Sequence, residues 1–172
     1  MIESKSVKAD KIYLVGFMGA GKTTVARALA RRLGWEAVDI DEVIEQRERQ
    51  TVADIFARQG EASFRALERQ ALLDQVSRLF LVVATGGGTF ADPQNRAAIN
   101  ADGVSVWLDV PLDTLIDRVP SDGRRPLAAD RAGFERLYYQ RRAAYEQAHV
   151  RLEAGRASVD ALVEQLVDWL EH

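Results

Sequence analysis

The chain has 172 residues, 47% of them hydrophobic and 28% charged, with a formal net charge of -3. Such a composition buries one core and such a length fills one domain, which excludes a disordered tail and a multi-domain assembly. The absence of cysteine excludes disulfides, cysteine-ligated metals and a cysteine nucleophile, and His149 and His172 alone build no histidine-rich metal site. No apolar run approaches the ~18 residues of a membrane span and Met1 to Lys11 is polar, so a cytoplasmic protein is expected.

In chain order, strands alternate with helices. Lys11 to Val15 (KIYLV) is a short apolar run ending in glycines, and Thr23 to Leu33 follows with Val25, Ala26, Leu29, Ala30 and Leu33 at helical spacing, stopped by Gly34. Glu36 to Ile40 reads as a second strand. Two helices follow, Glu42 to Arg49 and Thr51 to Gln59, the latter with capping-box spacing at Thr51 and Asp54 and closed by Gly60. A longer helix is expected over Glu61 to Arg78, then a buried strand over Phe80 to Ala84, then Gly86, Gly87 and Gly88. Asp92 and Pro93 open a further helix. Val104 to Leu108 is a fourth strand, Pro111 starts a helix to Arg118, and Pro120 to Ala132 is a turn-rich loop. A helix over Phe134 to Ala148, a short strand over Val150 to Glu153 and an amphipathic helix over Ser158 to Leu170 complete the chain. This alternation predicts an α/β fold, a mostly parallel sheet with helices on both faces and ligands at the carboxyl edge of the strands.

The strongest motif is Gly16-Phe17-Met18-Gly19-Ala20-Gly21-Lys22-Thr23, set between a strand and a helix. Glycines let successive backbone N–H groups turn inward around an anion, and the helix N-terminus adds partial positive charge. Lys22 reaches the outer phosphates and the Thr23 hydroxyl can hold magnesium. Lys22 is also the one lysine beyond Lys5, Lys8 and Lys11, in a chain with 19 arginines.

Asp39 and Asp41 end the second strand. Two residues apart on a strand, their carboxylates are expected on one face beside the phosphate loop. The three glycines at 86–88 imply a backbone that something approaches closely. Arginines are concentrated between Arg118 and Arg142, where seven face three acids. The loop containing Arg124, Arg125, Pro126 and Leu127 has the make-up of a lid that supplies a cation to a transferring phosphoryl group. Arg65 or Arg141 could grip a substrate carboxylate in a bidentate manner.

These residues point to a magnesium-nucleotide phosphotransferase with a small, anionic acceptor that spacing cannot name. A guanine-nucleotide switch is disfavoured because no lysine follows Lys22 to build its base-recognition motif. Motors and helicases need more chain, and nucleic-acid binding is disfavoured by the charge and the absence of a lysine-rich face. A nucleotide-binding module without transferase activity would not need Asp39, Asp41 and an arginine-bearing loop together.

Gly16 to Thr24, Asp39-Ile40-Asp41, Gly60-Glu61-x-x-Phe64-Arg65-x-x-Glu68, Ala84-Thr85-Gly86-Gly87-Gly88, Arg125-Pro126-Leu127 and Arg141-x-x-x-Tyr145 stand in the order and spacing of shikimate kinases, which the chain resembles from about Tyr13 to Leu170. The resemblance implies a nucleoside-monophosphate-kinase-like fold, a three-layer α/β/α sandwich on a five-stranded parallel sheet with a lid loop. It implies one domain over 1–172, with an N-terminal tail at 1–10, substrate-binding helices at about 42–78 and the lid at about 120–132. The activity implied is transfer of the ATP γ-phosphate to the 3-hydroxyl of shikimate, on the chorismate route to aromatic amino acids. Mg2+ is the implied cofactor, ATP and shikimate the substrates, and a monomer the implied state, with no nucleic-acid or membrane partner.

By matching positions, Asp41 would bind the shikimate hydroxyls and position or deprotonate the attacking one. Arg65 and Arg141 would hold the carboxylate, Glu68 would orient Arg65, and Gly86, Gly87 and Gly88 would present backbone to the ring. Gly19, Ala20, Gly21, Lys22, Thr23 and Thr24 would hold the nucleotide, with Lys22 and Arg125 stabilising the transferring group. Thr23 would bind the metal directly and Asp39 through water, while Arg118 and Arg156 would contact adenine. The chain departs from the family at Ile40, usually Ser or Thr, at Arg49, usually Gly, at Ala143 and Ala144, usually Pro-Leu, and at His149, where an acid is common. A related sugar-acid kinase of the gluconate type would share the phosphate loop but lack the Phe64-Arg65 and triple-glycine pairing.

Overall fold

The computed structural model describes residues 9–118 and 131–172. Five strands, β1 Lys11–Val15, β2 Glu36–Asp39, β3 Leu81–Ala84, β4 Val104–Asp109 and β5 Val150–Glu153, form one parallel sheet in the order β2-β3-β1-β4-β5. β1 and β3 are buried along their whole length, because parallel strands with helices on both faces have no solvent side. Between and beyond the strands lie α1 Lys22–Leu33, α2 Ile40–Glu48, α3 Val52–Leu73, α4 Pro93–Asp102, α5 Leu112–Arg118, α6 Arg131–Tyr145 and α7 Val159–Glu171. α1 packs on α7 and over β2 and β3, and α4 packs on β4, giving the three-layer α/β/α arrangement. No helix among the described residues is long and apolar enough to cross a membrane.

Register carries the functional geometry. Leu14 of β1 and Asp39 of β2 both pair with Ala84 of β3, so three strands end level and their following loops share one edge. Thr85 reinforces this, donating both its N–H (3.1 Å) and its hydroxyl (2.9 Å) to the Leu14 carbonyl.

Helix ends follow their capping residues. Thr51 Oγ1 accepts from the Asp54 N–H at 3.1 Å and Ser158 Oγ from the Ala161 N–H at 3.1 Å, while Gly34 ends α1 in the left-handed conformation. Gly60, at φ 83° and ψ 173°, breaks α3 into the two helices expected on either side of it.

Several boundaries differ from expectation. α2 starts at Ile40 rather than Glu42, because Asp39 Oδ1 caps it by accepting from the Glu42 N–H at 3.1 Å. α3 ends at Leu73 rather than Arg78, and Lys11 Nζ takes the carbonyls of Gln75 (2.7 Å) and Val76 (2.9 Å) in the turns that follow. Phe80 lies at φ 60°, outside strand geometry, so β3 starts one residue later. α6 runs over Arg131–Tyr145, and turns replace its expected last residues.

Candidate active site

The phosphate loop is shaped by its glycines. Gly19 and Gly21 adopt φ 82° and 97°, where a side chain would be strained, and Gly21 stands as N-cap of α1. Gly16 lies so close to β4 that an added Cβ would sit 3.0 Å from the Leu108 carbonyl oxygen. Lys22 opens α1, is buried, and donates to the loop's own carbonyls at Gly16 and Phe17, so its ammonium is held against the phosphate loop. The Thr23 hydroxyl donates to Asp39 Oδ2. Met18 to Thr24, Asp39, Asp41, Thr85, Gly86 and Gly87 line a pocket of about 300 Å3.

Asp39 and Asp41 do converge on this pocket, but strand alternation is not the reason. β2 ends at Asp39, and Asp41 lies in the first turn of α2, with Ile40 between them fully buried in the core. Asp41 Oδ1 is buried and has no hydrogen-bond partner among the described residues. Burial raises the Asp41 pKa to about 6, with further upward pressure from Asp39, Glu68 and Glu45 against the opposing pull of Lys22. A carboxylate tuned close to neutral pH is suited to accept a proton from a hydroxyl.

The triple-glycine segment is the point of assembly. An added Cβ at Gly86 would lie 3.1 Å from Asp41 Oδ1 and 3.2 Å from Glu68 Oε2; at Gly87 it would lie 3.3 Å from Arg141 Nη1, and at Gly88 2.7 Å from both terminal nitrogens of Arg65. Side chains from α2, α3 and α6 therefore close on one short backbone, where an added Cβ would displace the groups gathered there. Phe64 anchors α3 in the core and leaves Arg65 at the rim, where Nη1 donates to both oxygens of buried Glu68 at 3.1 and 3.2 Å. On α6, the Tyr145 hydroxyl donates to the Gly87 carbonyl at 2.6 Å. Among the described residues Arg141 Nη1 is buried without a hydrogen-bond partner, and the guanidinium is held below the usual arginine range by burial and by the charge of Arg65, against the opposing pull of Tyr145.

The two arginines expected at adenine lie in different places. Arg118 donates to the Gly19 carbonyl at 3.0 Å, beside the phosphate loop. Arg156 lines a separate concavity of about 770 Å3 with Asp109, Tyr138, Tyr139, Arg142 and Arg151. That larger space shares no residue with the phosphate-loop pocket, and the smaller one is the candidate site because the loop, both aspartates and the glycine segment line it. Arg124, Arg125 and most of the expected lid lie outside the described residues, as does most of the N-terminal tail.

Sequence reasoning missed Thr89, fully buried and bonded to both Glu68 and Gly86, and gave Tyr145 no role. It also missed Lys11, which is 1% exposed and pairs with Asp102 at 2.7 Å at the far end of the sheet. A lysine opening an otherwise apolar strand was the available signal for the last.

A parallel sheet carrying a phosphate loop, a strand-end aspartate on its threonine, and a second aspartate and two arginines gathered on one glycine segment defines a P-loop phosphotransferase. The fold is shared with deoxyadenosine kinase from M. mycoides, at TM-score 0.62 and 18% identity over 93% of this chain and 97% of that one. The sequence profile described as Shikimate kinase matches residues 18–171. A shikimate kinase of Persephonella marina is 40% identical over 91% of this chain and 96% of its own, and one of Thermosynechococcus vestitus is 48% identical over 73% and 68%. The structure of shikimate kinase from Acinetobacter baumannii in complex with shikimate superposes with TM-score 0.88 and 36% identity, covering 93% of this chain and 92% of that one. The chain belongs to the shikimate kinase family.

Proposed function

We propose that this enzyme transfers the γ-phosphoryl group of ATP to the 3-hydroxyl of shikimate, giving shikimate 3-phosphate for chorismate and aromatic amino acid synthesis, through the residues assembled on the glycine segment. The observation that carries the acceptor assignment is the pair Arg65 and Arg141 beside Gly87 and Gly88, with Arg141 Nη1 and, on the same loop, Asp41 Oδ1 both buried and without a hydrogen-bond partner among the described residues. Buried polar atoms without partners are costly unless a ligand completes them. One anionic end and one hydroxyl-bearing end, set on either side of the segment, describe a hydroxylated carboxylic acid.

The division of labour follows. Arg65 and Arg141 bind the carboxylate by charge-assisted hydrogen bonds and fix the ring on the glycine backbone. Asp41 accepts from the ring hydroxyls and holds or takes the proton of the attacking oxygen. The phosphate-loop N–H groups from Gly19 to Thr24 hold the nucleotide phosphates, and Lys22 exchanges its carbonyl partners for the outer phosphate oxygens. Arg125 adds charge to the transferring group, and Arg118 and Arg156 contact adenine. Because phosphoryl transfer passes through a loose transition state, alignment and charge supply most of the rate.

The Thr23 hydroxyl and the Asp39 carboxylate form a hard oxygen donor set already in mutual contact, which fits magnesium, an ion that keeps several waters and takes further oxygens from phosphate. Thr23 would hold it directly and Asp39 through water, and when bound it neutralises charge on the β- and γ-phosphates. ATP supply favours a cytoplasmic location, and the monomer is proposed from the family resemblance.

ADP release from MgATP with purified protein tests the reading. Turnover that depends on shikimate, and that is absent with gluconate or without acceptor, is expected; equal turnover with gluconate would overturn the acceptor assignment.

A further inference from the structure

We propose that Thr89 is a positioning residue for acceptor binding, holding Glu68 so that Arg65 faces the carboxylate site. Thr89 opens the single 3-10 turn that follows the glycine segment and is fully buried. Its hydroxyl donates to Glu68 Oε2 at 2.9 Å and accepts from the Gly86 N–H at 2.9 Å, while its own N–H donates to the Gly86 carbonyl at 3.3 Å. Glu68 is itself only 1% exposed and receives Arg65 Nη1 on both oxygens. One hydroxyl therefore joins the arginine of the acceptor clamp to the glycine that packs on Asp41.

The arrangement is directional. A buried carboxylate accepts only, and two of its neighbours, Arg65 and Thr89, donate to it from different elements, α3 and the turn after the glycines. Arg65 alone would let the Glu68 side chain rotate with it, since the pair lies one turn apart on the same helix. Thr89 fixes the far oxygen to the β3 edge and so fixes the guanidinium against Gly88. Without the hydroxyl, Glu68 Oε2 and the Gly86 N–H are both left short of a buried partner, and the guanidinium is free to follow the carboxylate away from the pocket.

The inference rests on the assignment of Arg65 to the acceptor carboxylate, and the test separates the two. Shikimate and MgATP KM, kcat and melting temperature are measured for Thr89→Val, Thr89→Ser, Arg65→Ala and the Thr89→Val/Arg65→Ala double variant. Thr89→Val is expected to raise the shikimate KM about tenfold and leave the MgATP KM within about twofold, Thr89→Ser to restore the wild-type value, and the effect of Thr89→Val to shrink below about twofold in the Arg65→Ala background. Should Thr89→Val not fold, Thr89→Ala, which leaves room for a water, carries the same expectation. Equal changes in both KM values, or full additivity with Arg65→Ala, would overturn the positioning role. If Arg65→Ala raises the shikimate KM and Thr89→Val does not, Thr89 alone loses its role; if Arg65→Ala leaves that KM unchanged, the carboxylate clamp falls and Thr89 with it.

Discussion

Asp41 should cost the folded protein stability in return for its chemistry, and the cost is open to direct measurement. Its side chain ionises at about 6 in the folded chain against 3.8 ordinarily, because burial and the neighbouring carboxylates Asp39, Glu68 and Glu45 oppose the charge. Between those two values the native state keeps a proton that the unfolded chain has released, so stability falls as pH rises through that window and the loss is complete above it. At 1.36 kcal/mol per tenfold, the full penalty is about 3 kcal/mol. Asp41→Asn removes the titration while keeping size and shape. The variant should therefore be more stable than the parent by about 3 kcal/mol near pH 8 and by only about 1 kcal/mol near pH 4.5, while turnover drops by about 10²-fold or more. Urea denaturation of both proteins in metal-free, nucleotide-free buffer at the two pH values reads this out. A variant no more stable near pH 8, or a gain that does not grow with pH, would refute the account of how the site strains Asp41.

Lys22→Ala should reduce kcat to less than about a tenth of the parent value while the circular dichroism spectrum is retained, because the ammonium serves developing phosphate charge; a larger residual kcat would remove that role. Arg141→Ala should weaken shikimate binding by roughly 2 kcal/mol with little change in ATP affinity, measured by calorimetric titration. Gly88→Ala should fold normally, since the atoms an added Cβ meets at 2.7 Å belong to the flexible end of Arg65, yet it should raise the shikimate KM by pushing that guanidinium aside; an unchanged KM would show that Arg65 can act from another position. Arg49 ends α2 in the left-handed conformation at φ 54°, where glycine is the favoured residue, so Arg49→Gly should raise stability by about 1 kcal/mol in thermal unfolding.

That last position shows how a departure in sequence becomes a physical statement only in three dimensions. Arg49 was an oddity against the family pattern; its backbone angle makes it a local cost. Ile40, another departure, proves to be core, fully buried between two site aspartates. His149 is exposed, and its Nδ1 accepts from the Ser105 N–H at 3.2 Å, a contact that joins β4 to the segment before β5.

The sequence alone determined whatever is local. Apolar periodicity and glycine, proline and hydroxyl caps placed the elements, and the strand-loop-helix pattern around Lys22 announced a phosphate site, because a few neighbouring residues suffice to form each. Where α3 stopped short of its expected end, a distant group is involved, since Lys11 takes the carbonyls of Gln75 and Val76 beyond it. Only the tertiary structure decided how the acceptor side is built. Asp41, Arg65, Thr89 and Arg141 belong to separate elements, and no spacing along the chain encodes their approach to Gly86, Gly87 and Gly88. The parallel register that ends β1, β2 and β3 level, with helices packed on both faces, sets those distances, and packing is a property of the whole chain.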